Sequence, residues 1–335
     1  MDEPVAAPTP RRPETGRPAL KRRALGRALT RLANASVAEV LADSTVGTGT
    51  VQASVPRIGI TGPPGAGKSS LGGRLAVLRA KRARVGVLAI DPSSPRSGGA
   101  ILGDRIRMDE LDGAEDLYVR SLASRTAGDG LAQNIPELLH AMDAAGFDEV
   151  ILETVGVGQA EHAVRHQVDT LVLVLIPESG DVVQAMKAGL MEMADIYVIN
   201  KSDLPGAARL AGEIKRVLQL SSAVPGGWVP PVMQTSIQDP ASIERLSCEI
   251  DRHLAWRRTS LDAMATRAER ARYRLRNLLE RRVAEVTDAL PTDFFDQALD
   301  AQVTQAIGRL RPRGAQGPGT GRPINGLGST PGSSE

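Results

Sequence analysis

Cysteine is almost absent. The 335 residues contain one, Cys248, which leaves no disulfide framework and no zinc site built on several thiolates. Aromatic residues are nearly as scarce, at 2% of the chain. That argues against a stacking platform for single-stranded nucleic acid and leaves the core to Leu, Val, Ile and Ala. The four histidines, His140, His162, His166 and His253, form no HExxH pair and no histidine-rich cluster. Long apolar runs are missing too. The longest, Leu171 to Ile176, is six residues, whereas a spanning helix needs about 20. The stretch Met1 to Leu20 holds five prolines and several charges, with no apolar region of the kind a secretory signal carries. Net charge is only +2, so no general attraction to polyanions follows. The expectation is a soluble, cytoplasmic protein that binds neither nucleic acid nor membrane.

What is present is ordinary globular material: 41% hydrophobic and 24% charged residues. The length suits two domains, or one large α/β domain with appendages. Residues 1–19 are rich in Pro and Arg without periodicity, and residues 311–335 hold seven glycines and four prolines. Both ends are expected to be disordered tails. Residues 20–52 read as an N-terminal helical segment, with Leu25, Leu29 and Leu32 at helical spacing. Over residues 53–256 short apolar runs alternate with amphipathic stretches. Strands are expected at Arg57–Thr61, Val85–Ile90, Tyr118–Ser121, Val150–Leu152, Leu171–Ile176, Ile196–Ile199 and Val232–Thr235. Helices are expected around Leu71–Leu78, Val182–Leu190 and Leu210–Leu218. Such alternation implies an α/β fold, a mostly parallel sheet with helices on both faces. Residues 257–310 read as a helical arm, broken at Pro291.

The strongest motif is Gly62-Pro63-Pro64-Gly65-Ala66-Gly67-Lys68-Ser69, which fits G-x-x-x-x-G-K-[ST] at every position. It lies between an expected strand and an expected helix, the context that this phosphate loop requires. Glycines allow the backbone to wrap an anion, and successive N–H groups with the helix N-terminus supply donors. Lys68 would place a point charge on the β- and γ-phosphates. The Ser69 hydroxyl would face Mg²⁺, and Ser70 completes the nucleotide-binding run. The bland account, a glycine-rich turn with a capping serine, explains neither the lysine nor the spacing.

Asn200-Lys201-Ser202-Asp203 follows an expected strand and resembles the NKxD base-specificity motif of GTPases. A carboxylate at Asp203 can accept from both N1–H and the exocyclic amine of guanine. Adenine offers no such pair, so GTP and GDP are the expected nucleotides. Glu153 ends the run Glu149-Val150-Ile151-Leu152, where ligands bind in open α/β sheets. It reads as a metal-associated acid, or as a strand-end ion pair. Gly156 follows in an E-x-x-G string and would offer its N–H to the γ-phosphate. Asp91 and Asp104 are further candidates for binding Mg²⁺ or orienting water, and each could equally cap a turn or a helix. Gln159 is a weaker candidate for positioning water.

With these residues in hand, the chain resembles the methylmalonyl-CoA mutase-associated GTPase family (MeaB/ArgK). The likeness rests on GITGPPGAGKSS from Gly59, DPSSPRSGGAILGDRIRM from Asp91, AAGFDEVILETVGVGQAE from Ala144 and ESGDVVQAMKAGLMEMADIYVINKSD from Glu178. Arg27-Ala28-Leu29-Thr30 is similar to the family's N-terminal helices. The resemblance implies a P-loop GTPase core, N-terminal helices and a C-terminal dimerisation arm. It implies a chaperone for an adenosylcobalamin-dependent acyl-CoA mutase, with Mg²⁺ chemistry on Ser69, Asp91, Asp104 and Glu153. It also places a coupling segment on Pro177 to Lys187. The last guanine loop would be Ser236-Ile237, where the family has Ser-Ala. The segment Ser124 to Gly130 also departs from the family pattern.

Other readings compete. A nickel-insertion GTPase would share the fold but normally shows Cys and His ligands. A small-molecule kinase would share the phosphate loop but has no use for an NKSD string. Residues 257–282 contain nine arginines against three acids, which could attract an acidic partner. Leu275, Leu278, Leu279, Val283 and Val286 form an apolar seam there, so a packed or dimeric helix with a solvated basic face is the simpler expectation.

Overall fold

The computed structural model describes residues 18–43, 55–92, 116–124, 134–154, 164–177, 193–220, 227–260 and 263–310. Inter-residue contacts divide the chain into two compact units, Met1–Arg276 and Asn277–Glu335.

The first unit opens with two helices where one helical stretch was expected. Helix α1 (Arg22–Ala33) buries Leu25, Leu29 and Leu32. Helix α2 (Val37–Ala42) restarts the chain at Ser36, whose hydroxyl accepts from the Glu39 N–H while the Glu39 carboxylate accepts from the Ser36 N–H. This reciprocal cap satisfies donors that a continuous helix would not expose, and it sets the break.

The sheet follows, as β1 (Arg57–Thr61), β2 (Val85–Pro92), β3 (Leu117–Ser124), β4 (Glu149–Glu153), β5 (Thr170–Leu175), β6 (Ile196–Ile199) and β7 (Val232–Gln234). Between them run α3 (Lys68–Ala80), α4 (Ile135–Ala144) and α5 (Ala207–Leu220), with α6 (Pro240–Ser260) after the last strand. The strand order is β3-β2-β4-β1-β5-β6-β7 and every pairing is parallel. All residues of β1, β4, β5 and β6 are buried, as befits central strands covered on both faces.

Two apolar layers hold the sheet. Leu71, Leu75 and Ala76 of α3 join Ile243, Leu246, Ile250 and Leu254 of α6 against Ile58, Ile60, Val172 and Val174. Leu210, Ala211 and Ile214 of α5 pack with Leu173, Leu175, Tyr197 and Ile199. The N-terminal helices are tied on by Asn134, whose amide donates to the carbonyls of Leu32 and Ala35 at 2.5 and 3.0 Å.

One buried cation locks α3, β4 and α6 together. Arg79, 2% exposed, forks onto Glu149 at 2.6 and 2.5 Å and reaches Asp251 at 2.9 Å. Burial opposes its charge, but Glu149 and then Asp251 outweigh that and hold the guanidinium above its ordinary pKa. Losing one member of such a set strands a buried charge, which typically costs about 3–5 kcal/mol.

The arginine-rich stretch is more engaged than a solvated face. Helix α7 (Ala263–Asp288) carries Arg270 to Asp169 at 2.8 Å and Arg274 to Glu137 at 3.0 Å, and Arg257 of α6 lies 3.7 Å from Asp169. The division between the two units falls within α7.

In the second unit, a 3-10 turn (Thr292–Asp296) follows Pro291 and leads to α8 (Leu299–Leu310). Arg282 donates to the carbonyls of Arg309 and Leu310, and the Arg309 guanidinium sits 5.3 Å from the Phe294 ring centroid. Phe294 and Val286 are buried, whereas Leu279, Val283, Phe295, Leu299, Val303 and Ile307 are exposed.

Candidate functional site

Parallel strands point all their carboxyl ends to one edge, and ligands in such sheets bind in the crevice outside it. The expected phosphate loop leaves β1 at this edge and enters α3 at Lys68. Its glycines are dictated by space. Gly62 has φ +142, and a Cβ there would lie 2.0 Å from the Val174 carbonyl oxygen of β5. Gly67 has φ +82, and a Cβ there would lie 2.5 Å from the Asn200 side-chain nitrogen. The loop is therefore pressed between β5 and the loop after β6, and a side chain at either position would push it out.

Lys68 is buried, and its ammonium donates to the carbonyls of Gly62 at 2.9 Å and Pro63 at 3.0 Å. The loop thus curls around its own lysine. Ser69, on the first turn of α3, donates to Glu153 Oε1 at 2.5 Å. Glu153 reaches that position because β4 pairs with β1 in the register Ile60↔Glu153. Behind it, Thr154 donates to the Thr61 hydroxyl at 3.0 Å.

The base motif closes on the same loop. Asn200 donates to the Ala66 carbonyl at 2.8 Å, and Thr235 donates to Asn200 Oδ1 at 3.1 Å. Lys201 adopts a left-handed backbone, φ 54, and its ammonium donates to the Gly65 carbonyl at 3.0 Å. A non-glycine residue held there is strained, and such strain concentrates at functional sites. Ser236 donates to Asp203 Oδ1 at 2.6 Å. That hydroxyl, followed by the Asp203 N–H, holds the carboxyl below its ordinary pKa and keeps it an anionic acceptor.

The structure therefore brings together Lys68, Ser69, Glu153, Asn200, Lys201, Asp203 and Ser236. Ile237 sits beside them, 49% exposed, but lines the groove formed by Arg74, Val77, Leu78, Pro240 and Ile243. Its bulk thus lies over α3 and α6. Asp91 lies at the carboxyl end of β2, two residues beyond Ala89, which pairs with Glu153. Its side chain, with Asp104, Gly156, Gln159 and residues 178–187, lies outside the described residues. Sequence reading missed Thr154 and Thr235. A hydroxyl just past each strand, beside a motif residue, was the available signal.

Ser69 and Glu153 supply one hydroxyl and one carboxylate oxygen at a helix N-terminus. Hard oxygen donors of this kind, few in number, fit Mg²⁺, which keeps several waters and takes phosphate oxygens. No cluster of three or more His, Cys, Asp or Glu able to hold a metal occurs among the described residues.

Comparison with known proteins bears on the family and the fold. The family model described as methylmalonyl Co-A mutase-associated GTPase MeaB matches residues 25–291. A relative from Pyrococcus abyssi, whose name proposes a GTPase, is 46% identical over 199 residues, 58% of this chain and 61% of that protein. A similarly named relative from Pyrococcus horikoshii is 40% identical over 243 residues, 71% of this chain and 76% of that protein. The chain thus spans about three-fifths to three-quarters of the length of these relatives. The solved structure of an LAO/AO transport system kinase shares the fold, with TM-score 0.56 and 23% identity, over 87% of this chain and 99% of that one. No helix among the described residues is long and apolar enough to cross a membrane.

Proposed function

Because this chain belongs to the methylmalonyl-CoA mutase-associated GTPase family MeaB, we propose that it hydrolyses GTP as a switch that assists and protects an adenosylcobalamin-dependent acyl-CoA mutase. The observation that carries the nucleotide part is the bond from Asn200 to the Ala66 carbonyl. It joins the base loop to the phosphate loop, so the two ends of one guanine nucleotide are read by parts that move together.

In this reading Asp203, kept anionic by Ser236, accepts from guanine, and the loop amides from Gly62 to Ser70 hold the phosphates. Lys68 exchanges its two carbonyl partners for β- and γ-phosphate oxygens, and Gly156 offers its N–H to the γ-phosphate. Ser69 and Glu153, with Asp91 and Asp104, would hold Mg²⁺, which supplies charge neutralisation at the phosphates when bound. Glu153, Asp91 and Asp104 are the acids available to orient the attacking water. The family's name supports methylmalonyl-CoA mutase as the partner. The exposed apolar residues of α7 and α8 support a homodimer through this arm.

Turnover measured with saturating Mg·GTP tests the phosphate assignment. Lys68→Ala is expected to lose turnover by about a hundredfold or more, since it removes one preorganised cation from the transition state, while the fold remains. Unchanged turnover would overturn the assignment.

A further inference from the structure

Helix α1 buries one face and turns arginines outward on another. Arg23, Arg27 and Arg31 repeat every four residues, with Gly26 and Thr30 between them on the same face. Opposite them stands Arg120 of β3, the edge strand of the sheet. These six residues line an open cleft of about 560 Å³, and none of them belongs to the phosphate loop or the NKSD string.

The charges in this cleft are poorly compensated. Arg31 pairs with Asp43 at 2.7 Å, leaving its side chain 65% exposed. Arg120 donates one Nη2 bond to the Thr30 hydroxyl at 2.6 Å, but its buried Nε has no hydrogen-bond partner among the described residues. The side chains of Arg23 and Arg27 have no partner among the described residues. A buried donor without a partner costs free energy unless a ligand supplies an acceptor. Gly26 in mid-helix also weakens α1 relative to Ala, and it keeps a side chain out of the cleft.

Arginines fork onto phosphate oxygens in pairs. Arg23 to Arg31 spans eight residues, about 12 Å of helix, so a single small anion would leave most of the row unused. We propose that this cleft is a second anion site, specific for a small molecule that carries a chain of two or more phosphates. The density of forked cations on one short face favours phosphates over spaced carboxylates. This site is distinct from the GTP site and does not require the mutase reading.

The test uses the full chain saturated with Mg·GDP, so that the phosphate loop is occupied, and inorganic tripolyphosphate as the probe. Calorimetry is expected to show one saturable site. Arg27→Ala should weaken it about tenfold, the loss of one charge-assisted pair, and Arg23→Ala with Arg27→Ala should weaken it further. Both side chains are exposed and have no partner among the described residues, so these variants should fold, and guanine nucleotide affinity should not change. Lys68→Ala should leave tripolyphosphate binding intact. No saturable binding, or binding insensitive to Arg23 and Arg27, would overturn the proposal. An acidic octapeptide binding more tightly than tripolyphosphate would also overturn it, since the site would then be a protein-docking face.

Discussion

Asp203 illustrates how a residue's role depends on its neighbours. A carboxylate in an exposed loop is ordinary, but Ser236 donates to it at 2.6 Å and Lys201 stands nearby in a strained backbone. The proposed guanine contact follows from that fixed anion, and it makes a prediction. Asp203→Asn replaces an acceptor by a donor at one oxygen, so GTP affinity should fall by about a hundredfold or more, and xanthine nucleotide, with a carbonyl where guanine has an amine, should gain. Competition titration checks both, and a variant that retains GTP preference would contradict the contact. At this scale the sequence was informative wherever the chemistry is local. The phosphate loop and NKSD string carry their geometry in consecutive residues. Thr235 and Thr154 were not legible, because their hydroxyls matter through partners reached across the sheet.

The elements were legible where the periodicity was uninterrupted, and β1, α3 and β6 fall where expected. Helices α4 and α6 were not expected. Each begins with a proline in its first turn, Pro136 and Pro240, which reads as a breaker although the first turn tolerates it. Helix α6 also positions His253 against β5. Its Nδ1 lies 2.8 Å from the Thr170 hydroxyl, and its ring meets Trp228 edge-on and stacks with Trp256.

Burial lowers the His253 pKa from 6.5 to about 4; Asp195 opposes this, and Arg257 and Arg165 reinforce it. The unfolded chain therefore takes up this proton at a higher pH than the folded chain. Stability should fall as pH drops from about 6.5 toward 4, by about 2 kcal/mol between pH 7.5 and pH 5 from this group alone. Urea unfolding of parent and His253→Gln checks it. The parent should lose more stability over that interval than the variant, and equal losses would contradict the assignment.

The arm makes a second prediction at this scale. Exposed apolar patches usually mark interfaces, and Leu279, Val283, Leu299, Val303 and Ile307 are all exposed within the second unit. Light scattering of the intact chain at micromolar concentration should give twice the mass of one chain. Leu299→Glu with Val303→Glu should return it to one. A monomer for the parent would count against the homodimer.

For the molecule as a whole, alternation of strands and helices was enough to expect a parallel α/β sheet, but not the order β3-β2-β4-β1-β5-β6-β7. Order depends on crossovers and on long-range locks such as Arg79 with Glu149 and Asp251, which lie 70 and 172 residues apart from it in sequence. The same order sets Glu153 beside Ser69 and brings the Asp91 backbone to the same edge. A switch needs this arrangement, because loops that start at one edge can all respond to one γ-phosphate, and a partner senses the change only if it binds the two states differently.

The most direct measurement is the affinity of an adenosylcobalamin-dependent acyl-CoA mutase for this protein with GDP and with a non-hydrolysable GTP analogue. The account predicts affinities that differ by about 5–150-fold, faster GTP turnover with the mutase present, and a smaller difference for Glu178→Ala or Asp181→Ala at unchanged GTP affinity. Equal mutase affinity in both nucleotide states, with turnover unaffected by the mutase, would contradict it.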